Sequence, residues 1–114
     1  MAEHTVPDDA GRDAQARFEA IPGTGQQPPT VRAAGDIDLI NVDQFRAALD
    51  EAGAAAGEIT ADMTAVTYCD SAAIHALFTA ARQRRLTVVV GAASPVTTML
   101  KLAGLDHVAT VVTE

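Results

Sequence analysis

At 114 residues the chain fits one domain. Its net charge of −7, from 15 acidic and 8 basic residues, leaves no basic stripe for a nucleic-acid backbone and little to hold an anionic membrane. Hydrophobic residues make up 48% of the sequence but aromatics only 4%, so Ala, Val, Leu and Ile must fill the core. The single cysteine, Cys69, excludes an internal disulfide and a cysteine-cluster metal site. No apolar run is long enough to span a bilayer and the first residues lack a signal-peptide core, so a soluble cytoplasmic protein is expected.

In chain order, residues 1–16 are polar and aperiodic and are expected to form a mobile tail that carries His4, ahead of a domain over 17–114. Weak alternation over Ala16–Ile21 predicts an edge strand, and the turn-rich stretch Pro22–Pro29 separates it from a second strand, Thr30–Gly35, antiparallel in a hairpin. Asn41 stands as an N-cap with Gln44 three residues on, the spacing of a capping box. Phe45, Ala48, Leu49 and Ala52 then give one helical face, ended by Gly53 and Gly57. Glu58–Met63 reads as a short strand, and Thr64–Asp70 as a linker to a second helix capped by Asp70 or Ser71, with Ile74, Leu77, Phe78 and Ala81 inward. The basic run Arg82-Gln83-Arg84-Arg85 falls at that helix's end, where cations complement the dipole. Leu86–Val90 is almost continuously apolar and suits a strand buried on both faces. Ser94-Pro95 opens a third helix with Val96, Met99, Leu100 and Ala103 inward and Gly104 as its stop, and His107–Val112 reads as the last strand. The order β-β-α-β-α-β-α-β predicts an α/β domain: a mostly parallel sheet of four to five strands with an antiparallel N-terminal strand, and three to four helices packed on it.

Enzyme chemistry finds little support. Neither Gly-x-Gly-x-x-Gly nor Gly-x-x-x-x-Gly-Lys occurs, and His4, His75 and His107 lack zinc spacing, so no cofactor and no metal are expected. Ser71 and His75 share a helix four residues apart, but Cys69-Asp70-Ser71-Ala72-Ala73 is no nucleophile elbow. Asp36, Asp38 and Asp70 are more informative, because in a parallel sheet the loops that hold them lie at strand carboxyl ends, where partners engage. Ser71 has two readings: a capping hydroxyl that satisfies a backbone N–H, or an acceptor for a regulatory phosphate at a helix N-terminus. A phosphate would add a charge of roughly −1.5 to −2 beside those carboxylates and repel a partner docked on the neutral hydroxyl. Cys69 is expected to pack in the core, with a redox role beside the switch as the alternative.

Gly35-Asp36-Ile37-Asp38, Asn41 opening a helix, Val66-Thr67-Tyr68-Cys69-Asp70-Ser71, Val88-Val89-Val90-Gly91-Ala92-Ala93-Ser94-Pro95 and Leu102-Ala103-Gly104-Leu105 stand in the order found in STAS domains. Over about residues 17 to 113 the chain resembles the bacterial anti-sigma factor antagonists of that family. The resemblance implies a non-enzymatic regulator, a monomer or weak dimer, that binds an anti-sigma factor and frees a sigma factor. The anti-sigma factor is often a GHKL-type serine kinase that phosphorylates the serine after the motif aspartate, here Ser71, and a phosphatase reverses this. The partner surface then comprises Asp36, Asp38, Asn41, Asp70, Ser71, Ala72, Ala73 and His75. Family members commonly read Asp-Ser-Ser/Thr-Gly-Leu-Gly where this chain has Asp70-Ser71-Ala72-Ala73-Ile74-His75. That departure motivates the second reading, an unphosphorylated STAS module that serves a transport or signalling complex or binds a nucleotide or lipid.

Overall fold

The computed structural model describes residues 16–114; the tail expected over 1–16, with His4, lies outside the described residues except for Ala16. Two strands open the domain, β1 (Ala16–Ile21) and β2 (Thr30–Ile37). Then helices and strands alternate: α1 (Val42–Gly53), β3 (Glu58–Cys69), α2 (Ser71–Gln83), β4 (Arg85–Val90), α3 (Pro95–Ala103), a 3-10 turn (Leu105–His107) and β5 (Thr110–Thr113). The five strands form one sheet in sequential order β1-β2-β3-β4-β5, with β1 antiparallel to β2 and every other pair parallel.

Sequential parallel order has a consequence for the layers. A right-handed crossover carries each helix over the same face when the chain always steps in the same direction along the sheet. The burial pattern agrees: Val31, Ala33, Ile59, Ala61, Leu86 and Val88 are buried against the helices. Their alternates Arg32, Thr60, Asp62, Thr87 and Val89 are half-buried or exposed. β4 is therefore fully buried on one face only, and the expectation of burial on both is corrected. Across the opposite face Arg32 pairs with Glu19 at 3.7 Å, an exposed pair that contributes little to stability, and with the half-buried Asp62 at 3.6 Å.

Phe45 of α1 is fully buried and stacks on Phe18 of β1 with ring centroids 5.4 Å apart, which fixes the hairpin to the helical layer. Leu77 from α2 and Leu100 from α3 complete the core beneath β3 and β4. Arg84 donates from Nε to the carbonyl of Gly53 and so ties the end of α1 to the turn after α2.

Three other boundaries depart from the sequence pattern. The second strand, expected over Thr30–Gly35, runs to Ile37, so Asp36 lies in β2 and not in the loop after it. Of the expected linker Thr64–Asp70, all but Asp70 continues β3, because β2 remains its parallel partner through Ala34↔Ala65, Gly35↔Val66 and Ile37↔Cys69. Register shifts at Arg32/Ala34 and Gly35/Asp36 break the simple alternation that would have revealed it, and Gly35 takes φ 88° there, a left-handed conformation that glycine permits. At the other end β5 begins at Thr110 instead of His107, since Leu105–His107 closes a 3-10 turn that buries Leu105. No helix among the described residues is long and apolar enough to cross a membrane.

Candidate partner-binding site

β2 and β3 end side by side, with Ile37 opposite Cys69, so the residues that follow them leave the sheet as neighbours. The Asp70 N–H donates to the Ile37 carbonyl at 3.1 Å, and the Leu39 N–H donates to Asp70 Oδ2 at 3.1 Å. The other carboxylate oxygen, Oδ1, accepts from the N–H groups of Ala72 at 2.9 Å and Ala73 at 3.3 Å. Asp70 is thus the N-cap of α2, in the extended conformation a cap requires, and at the same time the clamp between the two loops. Ser71 is left at the first helical position, exposed, and among the described residues its hydroxyl has no hydrogen-bond partner. Of the two candidate caps, the aspartate takes the role and the serine does not.

The β2–α1 loop is held from within. Asp38 Oδ1 accepts from the N–H groups of Ile40 at 3.0 Å and Asn41 at 3.4 Å, while the Asp38 carbonyl accepts from the Val42 N–H at 2.9 Å. Asn41 turns back: its Oδ1 accepts from the Asp38 N–H and its Nδ2 donates to the Asp36 carbonyl, each at 3.0 Å. The capping box expected at Asn41 and Gln44 does not form. Asn41 sits at φ −112°, ψ 0°, already helical, so its side chain cannot reach the first free amides of α1 and serves the loop instead. Thr67 donates its hydroxyl to Asp36 Oδ1, which attaches the first acidic residue to β3.

The expected surface is therefore assembled only in part. Asp36, Ser71 and His75 are exposed, and Asp38, Asp70 and Ala72 are half-buried around the joined loops. Asn41 is largely buried and Ala73 wholly so; Ala73 faces the core, and its assignment to the partner surface is corrected because no partner atom can reach it. Cys69 is buried as well, and burial, followed by the Asp70 charge, pushes its thiol up to about 11. The thiol therefore packs in the core, the first of the two roles expected for it.

Leu39 and Ile40, which belong to no expected site, are 75% and 74% exposed in the clamped loop. Their signal was available: two large apolar residues between Asp38 and Asn41, outside any periodic pattern. Among the described residues no three His, Cys, Asp or Glu side chains converge as metal ligands would.

The model of a known family, described as Mlab, STAS domain, matches residues 22–113. The chain belongs to the STAS domain family. Solved STAS-like structures agree. An anti-sigma factor antagonist from Mycobacterium paratuberculosis superposes with a TM-score of 0.75 at 18% identity, over 85% of each chain. The anti-sigma factor antagonist SpoIIAA in its unphosphorylated form gives 0.61 at 19% identity, covering 83% of this chain and 86% of that one. The Bacillus cell fate determinant SpoIIAA in its phosphorylated form gives 0.60 at 20% identity, covering 86% and 93%. At these identities the likeness establishes the fold of this STAS domain. No curated protein matches the sequence significantly.

Proposed function

We propose that this STAS domain is a cytoplasmic, non-enzymatic anti-sigma factor antagonist, monomeric or weakly dimeric, that sequesters a GHKL-type serine kinase acting as anti-sigma factor. Phosphorylation of Ser71 ends that binding and a phosphatase restores it. The observation that carries the reading is the spare hydroxyl of Ser71: Asp70 caps α2, so the serine is exposed at a helix N-terminus without a structural task. A phosphate there gains from the positive end of the helix dipole while it sits beside the Asp70 carboxylate, which also holds the loop that carries Asp38. The fold tolerates the added charge and a docked partner does not. That SpoIIAA, of the same fold, is described in unphosphorylated and phosphorylated forms supports the reading. Incubation with ATP and each anti-sigma kinase of the source organism should add one phosphate by intact mass, and Ser71→Ala should abolish it. Phosphate that never appears, or that persists in Ser71→Ala, refutes the switch.

A second reading has its own support. The matching family model is described by the name Mlab, and Ala72 stands where anti-sigma antagonists commonly carry a second hydroxyl. On this reading the domain is a permanently docked subunit of a transport or signalling complex, without phosphorylation. Affinity purification that recovers an ATPase or transporter subunit in fixed ratio, and no anti-sigma factor, selects it.

A further inference from the structure

We infer that Leu39 and Ile40 are the apolar anchors of the anti-sigma interface, and that they seat in an apolar cleft with a basic rim on that partner; the inference rests on the proposed function. A loop that exposes a leucine and an isoleucine gains nothing from them in the folded monomer, since both stay out of the core. The loop nevertheless presents them in a defined position. Asp38, Asn41 and Asp70 together supply five side-chain hydrogen bonds across residues 36–41, so the pair is presented with little conformational freedom left to lose on docking. The bond from the Leu39 N–H to Asp70 places the pair beside Ser71, where a new phosphate would lie against whatever covers it.

The surroundings choose the partner's chemistry. The carboxylates of Asp70 and Asp38 bind the backbone of Leu39 and Ile40 directly, Arg46 nearby is engaged by Asp43 at 3.2 Å, and the chain carries −7 overall. A docked surface therefore needs apolar depth for two side chains and cations around them, and its association should slow as salt rises.

Titration of each purified anti-sigma factor of the source organism against the full chain tests this. Replacing both Leu39 and Ile40 by Ala should weaken binding by roughly 100-fold, the combined effect of two anchors at about tenfold each. Melting should be unchanged, because both side chains are exposed. Leu102→Ala, which truncates a side chain 83% exposed near the far end of α3, should bind as wild type. The single variant Ile40→Ser keeps the test valid should the double variant fold poorly. Wild-type affinity in the Leu39/Ile40 variants overturns the inference and leaves the proposed function standing. The same holds if the variants alter only self-association in sedimentation, which would make a second copy the occupant. Failure of the wild type to bind any anti-sigma factor overturns both.

Discussion

Two helices of this domain start with a serine at the carboxyl end of a parallel strand, and the two serines have opposite fates. At α3, Ser94 is the N-cap: its hydroxyl accepts from the Val96 N–H at 3.1 Å, Pro95 follows, and Thr97 donates to the Gly91 carbonyl at 2.7 Å. Every polar group there is committed to closing the turn. At α2 the aspartate one residue earlier closes the turn, and Ser71 moves to the first helical position, where its hydroxyl has no hydrogen-bond partner among the described residues. A serine becomes available for chemistry when a neighbour relieves it of its structural role. Both places are helix N-termini, so the difference lies in which residue is spent on the cap.

The contrast can be broken at several depths. The largest effect belongs to Cys69, buried directly before Asp70, whereas Ala93, before Ser94, is exposed and has nothing to titrate. With the folded thiol pushed up to about 11 from an ordinary value of 9.0, both states hold its proton well below pH 9.0 and the thiol adds no pH dependence there. Between those values the unfolded chain loses the proton while the folded one keeps it, so stability falls as pH rises, by up to about 3 kcal/mol. Urea unfolding at about pH 8 and about pH 10.5 should show a steeper alkaline loss for wild type than for Cys69→Ala; equal slopes would remove the thiol from the account.

Next comes the clamp. Asp70→Ala removes an acceptor for three backbone N–H groups on two elements and should cost about 2 kcal/mol, while Asp70→Asn should recover much of that. Hydrogen exchange at Leu39 should accelerate in the alanine variant; protection as in wild type would deny the cross-loop role. The smallest effects separate the serines directly. Ser94→Ala should lower stability by about 1 kcal/mol, the ordinary cost of a lost cap, and Ser71→Ala by less than about 0.5 kcal/mol. Equal losses in thermal melting would mean that Ser71 carries structure after all.

Much of this was legible before any coordinates. The apolar spacing of Phe45 and Leu49, the Ser94-Pro95 opening and the Gly104 stop are local signals with local causes, and each helix stands where they predicted it. The α/β alternation likewise fixed a mostly parallel sheet with β1 antiparallel. The second half of β3 was hidden because its pairing to β2 shifts register, and no one-dimensional period survives such a shift. The surroundings of Asp70 and Ser71 were legible only as a set of residue types. Which member caps, which faces the core and which stays exposed depends on bonds between residues 31 positions apart, such as Leu39 to Asp70.

The sequence by itself determined the order of the elements and the three helices, because helix periodicity, caps and turns are encoded over a few neighbouring residues. Only the tertiary structure decided that, among the described residues, all three helices lie on one face of the sheet, since that follows from the direction of successive crossovers. It also decided that Asn41 turns away from its helix, that Ala73 is lost to the core, and that Leu39 and Ile40 are held out beside a serine released from capping. Those outcomes depend on two strands ending side by side, a contact that no stretch of sequence contains.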